Sequence, residues 1–216
     1  MAFVLTAVES RILGCLIEKE RLTPENYPLT LRALTLACNQ ATSREPVVSY
    51  SEQLVEEHLF ELRQKKLASL VMTAGARVQK YRHHLADHFE LIAAETALLC
   101  VLLLRGPQTA GELRSRTERL HHFDDVAAAE TCLQELIEDP SPLVQTVPAR
   151  PGQKERRYVQ LLAGPPDLSA AETEEPARAA EAPRSRVELL QDEVGQLREA
   201  LDALRTEFQE FRKQFE

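Results

Sequence analysis

Histidines, thiols and clustered arginines are the side chains of this sequence that could do chemistry, and their spacing says which chemistry. His83, His84 and His88 crowd six positions, with His84 and His88 four apart as on one helix face, and His121-His122 stands upstream of Cys132. Imidazole and thiolate hold a metal only where several converge with supporting carboxylates. No spacing here closes such a set, so these histidines read as solvated imidazoles at a hairpin end and a turn. No metal and no other cofactor is expected. Cys15, Cys38, Cys100 and Cys132 are far apart, form no C-x-x-C pair and sit among apolar residues. They read as reduced core thiols. The sequence also has no phosphate-cradling glycine loop, no G-x-S-x-G and no H-E-x-x-H, so it reads as a non-enzyme.

Arginine and lysine are organised more tellingly. Gly75 is followed six residues on by Tyr81, and Gly152 six residues on by Tyr158. At that offset of 77, Arg77 matches Lys154, Lys80 matches Arg157 and Leu85 matches Leu162. Arg77, Lys80 and Arg82 thus crowd one glycine turn, while Arg150, Lys154, Arg156 and Arg157 crowd the other. Cations there would neutralise phosphates of duplex DNA and release counterions. The plainer reading is that short exposed hairpins carry Lys and Arg to stay soluble and guard their edges. A further group, Arg114, Arg116 and Arg119, falls on a helical stretch. It forms either a basic face or, as pairing favours, ion pairs with Glu112 and Glu118. Asn39, Gln40 and Arg44 belong to a polar loop, residues 39–46, which either binds a peptide, base or phosphate or satisfies its own backbone.

The elements that must position these groups repeat. Apolar segments 67–72 and 143–147, each ahead of a glycine turn, read as strands. Ahead of each lies a helical pattern: Leu54, Val55, Leu59 and Leu62, then Val126, Leu133, Leu136 and Ile137. Two more helical stretches precede it in each half, residues 6–19 and 28–38, then 89–104 and 109–117. Thr109 with Glu112 three residues on makes a capping box. Each half therefore reads helix, helix, helix, β-hairpin in about 75 residues, the order of a winged helix-turn-helix. The expected fold is mainly α with small β-hairpins (α+β), as two tandem winged helix-turn-helix domains, 1–86 and 87–163. In DNA readers of this order the third helix enters the major groove. Here the first such helix begins Ser49-Tyr50-Ser51-Glu52-Gln53 with Glu56 and Glu57 next, and the second begins Asp124-Asp125 with Glu130 following. Carboxylates there repel phosphate, although ordinary helix capping also explains them.

The motifs Cys-Leu-Ile-Glu-Lys-Glu (15–20), Cys-Asn-Gln-Ala-Thr-Ser-Arg-Glu-Pro (38–46) and Pro-Gly-Gln-Lys-Glu-Arg-Arg-Tyr (151–158) carry a resemblance to a known family. So does the stretch from Leu104 to Leu120, Leu-Arg-Gly-Pro-Gln-Thr-Ala-Gly-Glu-Leu-Arg-Ser-Arg-Thr-Glu-Arg-Leu. Over residues 3–163 the chain resembles the YceH-like family of uncharacterised bacterial proteins. The resemblance implies two tandem winged-helix domains and a bacterial cytoplasmic protein. It implies no established activity and no agreed catalytic or binding residues.

Beyond them, residues 164–183 hold four prolines, many Ala and Glu and no periodic apolar residue, and read as a disordered linker. Residues 184–216 follow with Val187, Leu190, Val194, Leu197, Leu201, Leu204, Phe208, Phe211 and Phe215 alternately three and four apart. That is a heptad seam, and the pairs Glu193–Arg198 and Glu207–Arg212 suit a parallel coiled-coil homodimer. The alternative is one amphipathic helix folding back. With 26 basic and 34 acidic residues the net charge is −8, which argues against general polyanion binding. The longest apolar run, 97–104, is too short for a membrane span and no signal segment leads the chain, so a cytoplasmic protein is expected. Two functions stand. One is contact with double-stranded DNA through the basic wings, placed first because fold and wings point there. The other is a protein–protein scaffold for an unidentified protein partner, favoured by the acidic third helices.

Overall fold

The computed structural model describes residues 3–72, 78–149 and 155–165. Arg77, Arg150 and Lys154 lie outside the described residues, as do nearly all of the linker and the whole seam from Val187 to Phe215. Residues Met1–Pro166 form one compact unit. It is an α+β fold, with seven α-helices and five short strands among the described residues.

Helix α1, Ala7–Leu22, starts at a capping box: Thr6 Oγ1 accepts from the Glu9 N–H at 3.2 Å, and the Glu9 carboxylate accepts from the Thr6 N–H at 2.7 Å. After a 3-10 turn at Pro24–Asn26 come β1 (Leu29–Thr30), α2 (Leu31–Cys38), α3 (Glu52–Gln64), β2 (Ala68–Val71) and β3 (Lys80–His83). The three strands are antiparallel in the order β1-β3-β2. Helix α4 (Leu85–Phe89) leads to α5 (Ala93–Arg105), α6 (Ala110–Thr117), α7 (Val126–Glu138) and the hairpin β4 (Val144–Val147) and β5 (Arg157–Gln160). The expected capping box at Thr109 and Glu112 opens α6.

The duplication read from the glycine–tyrosine spacing reappears in the hydrogen bonds. Leu67 donates to Leu62 O and Leu143 to Leu136 O, while His84 donates to Leu67 O and Leu161 to Leu143 O. Tyr81 pairs with Leu29 of β1, and Tyr158 pairs with Gln108 through an isolated bridge at the matching place. The two halves share one continuous apolar core. Its centre is α1 against α5: Glu9–Glu18 of α1 are buried without a break, as are Thr96–Leu104 of α5. Gly14 makes this approach possible, since a Cβ there would stand 2.8 Å from Leu104 Cγ and 3.2 Å from Leu103 Cβ. The Cys100 thiol donates to Gly14 O at 3.4 Å across the same contact.

Helix ends differ from the sequence reading by a few residues, as chain patterns blur at caps. Residues 28–38 divide into β1 and α2, and residues 89–104 divide at Phe89, where α4 stops with Glu90 in the left-handed region at φ 56°. A two-residue strand and a five-residue helix are too short to show a period. Among the described residues, no helix is long and apolar enough to cross a membrane.

Candidate functional site

Strand alternation divides the first sheet into two faces. Tyr81 and His83 turn into the core, so Lys80 and Arg82 of β3, with His84 just beyond, share the solvent face. Arg82 stands directly opposite Ser69 of β2. His84 Nε2 lies 2.7 Å from Ser69 Oγ, and its Nδ1 lies 3.4 Å from Asp87 Oδ2. By order this is a nucleophile–base–acid relay, but Asp87 is 77% exposed, so water screens the charge that would have to polarise the imidazole. His83 is occupied otherwise. Its Nδ1 accepts from the Leu85 N–H at 3.2 Å, which leaves the proton on Nε2 to meet Glu20 Oε2 at 2.8 Å. The His83 bond, against a smaller opposing effect of burial, holds the Glu20 carboxyl below its ordinary range. The Tyr27 hydroxyl accepts the His83 N–H at 2.8 Å, and neither ring nitrogen of His83 is left for chemistry.

The second hairpin presents its cations differently. Arg157 Nη1 donates to Pro107 O at 2.8 Å and to Glu112 Oε2 at 3.2 Å. Arg156 stacks over Tyr158 at 5.6 Å and stands 4.0 Å from Glu130. The helical arginines are also engaged: Arg114 bridges to Phe123 O and Asp124 O, and Arg116 pairs with Glu112 at 3.5 Å. Glu118 takes His122 at 2.7 Å instead of an arginine, and Arg119 is exposed. Glu112 is the hub, holding α6's first turn, Arg116 and Arg157 together.

In the polar loop the side chains are spent internally. Asn39 donates to Tyr50 O at 2.8 Å and accepts the Tyr50 N–H at 2.7 Å, closing the loop like a strand rung. Arg44 is buried; its Nη1 and Nη2 fork onto Glu18 at 2.9 and 2.6 Å, its Nε donates to Ala37 O, and Gln40 and Ser43 O take the rest. Burial pushes the Glu18 carboxyl up, but hydrogen bonds from Arg44 and Lys19 outweigh it and hold the group below its ordinary value. Beside this pair burial pushes the Cys100 thiol well up. At Cys15 burial is outweighed by the hydrogen bond with Cys38 and the charge of Arg44, which hold the thiol below its ordinary value. In the second half burial pushes Cys132 up to about 12. Among the described residues, no three metal-binding side chains converge.

The third helices α3 and α7 together carry seven carboxylates (Glu52, Glu56, Glu57, Glu61, Glu130, Glu135 and Glu138) against one arginine, Arg63. Beside α7 and α6 lies a cleft of about 440 Å³ lined by Gly111, Val126, Glu130, Glu155, Arg156 and Tyr158. The solvent-face placement of His84 and Ser69 escaped the sequence reading. The signal was there in the i, i+2, i+4 row of Lys80, Arg82 and His84.

Comparison with known proteins gives the lineage. The family described as "Protein of unknown function, DUF480" matches residues 5–153. A UPF0502 protein of Geobacter sulfurreducens is 49% identical, with all of both chains covered. One of Azoarcus sp. (strain BH72) is 46% identical over all of this chain and 96% of its own. One of Shewanella sp. (strain MR-4) is 43% identical over 93% of this chain and 97% of its own. These findings agree with the YceH-like resemblance, and the chain belongs to the DUF480/UPF0502 family of uncharacterised bacterial proteins.

Proposed function

We propose that this chain is a non-enzymatic protein-interaction scaffold built from two tandem winged helices, acting in the bacterial cytoplasm. The repeated order of helix, strand or bridge, two helices and hairpin supports the winged-helix reading. The observation that carries the function is the acidity of α3 and α7, seven carboxylates to one arginine at the place where a DNA reader needs cations. The internal engagement of Arg114, Arg116, Arg156 and Arg157 adds to it. A partner surface rich in Lys and Arg complements such helices. The heptad seam would pair two copies and double the valency.

Contact with duplex DNA through the first wing is the second reading, favoured by Arg82 and Lys80 on one open sheet face. A titration with mixed-sequence duplex at low and high salt separates the two. The scaffold predicts no salt-dependent binding, together with a stoichiometric lysate partner that survives nuclease and is lost from a Glu56→Lys/Glu57→Lys variant. Duplex affinity falling steeply with salt overturns the scaffold.

A further inference from the structure

We propose that the solvent face of the three-stranded sheet binds one phosphate-type oxyanion, the phosphoryl group of a small phosphomonoester, held by Arg82, His84, Ser69 and Lys80. The donors converge by construction. Ser69 and Arg82 are directly opposed across β2 and β3, and His84 and Lys80 flank Arg82 on the same face. The 2.7 Å contact of Ser69 Oγ with His84 Nε2 fixes both polar atoms side by side. Asp87 at 3.4 Å orients the other ring nitrogen. The Ser69 hydroxyl and the His84 imidazole satisfy one another. A phosphoryl group takes the Ser69 O–H and an N–H at His84 Nε2, while the Arg82 guanidinium supplies the two-pronged contact that phosphate oxygens favour.

The occupant is small for three reasons. Asp87 stands beside His84 at one end of the row, and Glu20 lies close enough to Arg82 to feel its charge; these carboxylates repel an extended polyanion. The acidic α3 precedes these strands in the same half of the molecule. Among the described residues the set is not repeated: at the matching places of the second hairpin stand Gln145 opposite Val159, then Leu161. A continuous nucleic-acid track would call on both copies, whereas a ligand pocket needs only one. This inference is independent of the scaffold reading, and it gives the scaffold a ligand to respond to.

The test uses the full chain, titrated with inorganic phosphate and with phenyl phosphate at constant ionic strength, and followed by backbone amide NMR. Shifts confined to the neighbourhood of Ser69, Arg82 and His84 are expected with both probes. An Arg82→Gln variant should weaken binding about tenfold or more, the usual size of a lost charge-assisted hydrogen bond, while Arg156→Gln on the other hairpin leaves it unchanged. Because Arg82 is exposed, its replacement does not disturb the core, and an unchanged wild-type spectrum elsewhere verifies that. Absence of localised shifts, or equal binding by Arg82→Gln, overturns the site. So does a short DNA duplex that displaces phosphate at far lower concentration with a steep salt slope, since the face would then belong to nucleic acid. Failure here leaves the lysate-partner experiment untouched.

Discussion

Arg44 and Glu18 hold the first half together from within. The guanidinium's five N–H groups all find acceptors, and the carboxylate it grips is almost wholly withdrawn from water. Removing one partner of such a pair strands the other, so Arg44→Met should cost about 3–5 kcal/mol in urea unfolding. Arg44→Lys keeps the charge but loses the fork and should fall between. The pH dependence has a definite sign. Glu18 titrates below its ordinary value in the native protein, so on acidification the unfolded chain takes up that proton first. Its contribution is complete above about pH 5 and is lost as pH falls through 4 and below. In Arg44→Met the carboxyl keeps its burial without the arginine, and the stability gap from wild type should narrow in acid. A gap that does not change between pH 7 and pH 4 would assign the loss to packing. None of this was legible in the sequence. Arg44 and Glu18 are 26 positions apart, and a polar loop looks the same whether it faces a ligand or its own helices.

At the scale of elements, α1 lying on α5 is the contact that joins the halves, and Gly14 sets its closeness. Alanine in a helix interior gains about 1 kcal/mol over glycine, but its methyl would press on Leu104 and on the Leu103 Cβ. Overpacking of that kind costs about 1–3 kcal/mol. Gly14→Ala should therefore lose about 1 kcal/mol net, read as a few degrees in thermal unfolding. A rise in melting temperature would mean that the Leu104 side chain swings aside freely. The helices themselves were readable from spacing, as were the strands on either side of the glycine turns. Their mutual arrangement was not. Residues 97–104 are apolar on every side, which announces burial without saying what lies opposite, and the signal on α1 is a glycine rather than a large side chain. The hairpin cations illustrate the converse: Arg82 and Arg157 look alike in sequence, but Glu112, 45 positions away from Arg157, holds only the latter.

At the scale of the whole molecule, the apolar seam of residues 187–215 predicts a dimer. Leu197→Asp with Leu201→Asp should halve the mass found by light scattering while leaving the compact unit folded. A dimer that persists would place the interface elsewhere. Within residues Met1–Pro166 the shared core makes the two copies cooperative, so they should unfold together rather than in sequence. One backbone bond has a topological consequence as well. The Leu5 N–H reaches Leu162 O at 2.7 Å, which brings the start of α1 beside the end of the second hairpin. Within the compact unit Leu5 and Leu162 are thus neighbours, so the unit could be spliced there by a short loop and new ends opened at Glu90 between the halves. Such a circular permutant of the unit would begin with what is now the second copy and keep every helix and strand of the described residues intact, because the order of the copies is not what the packing reads.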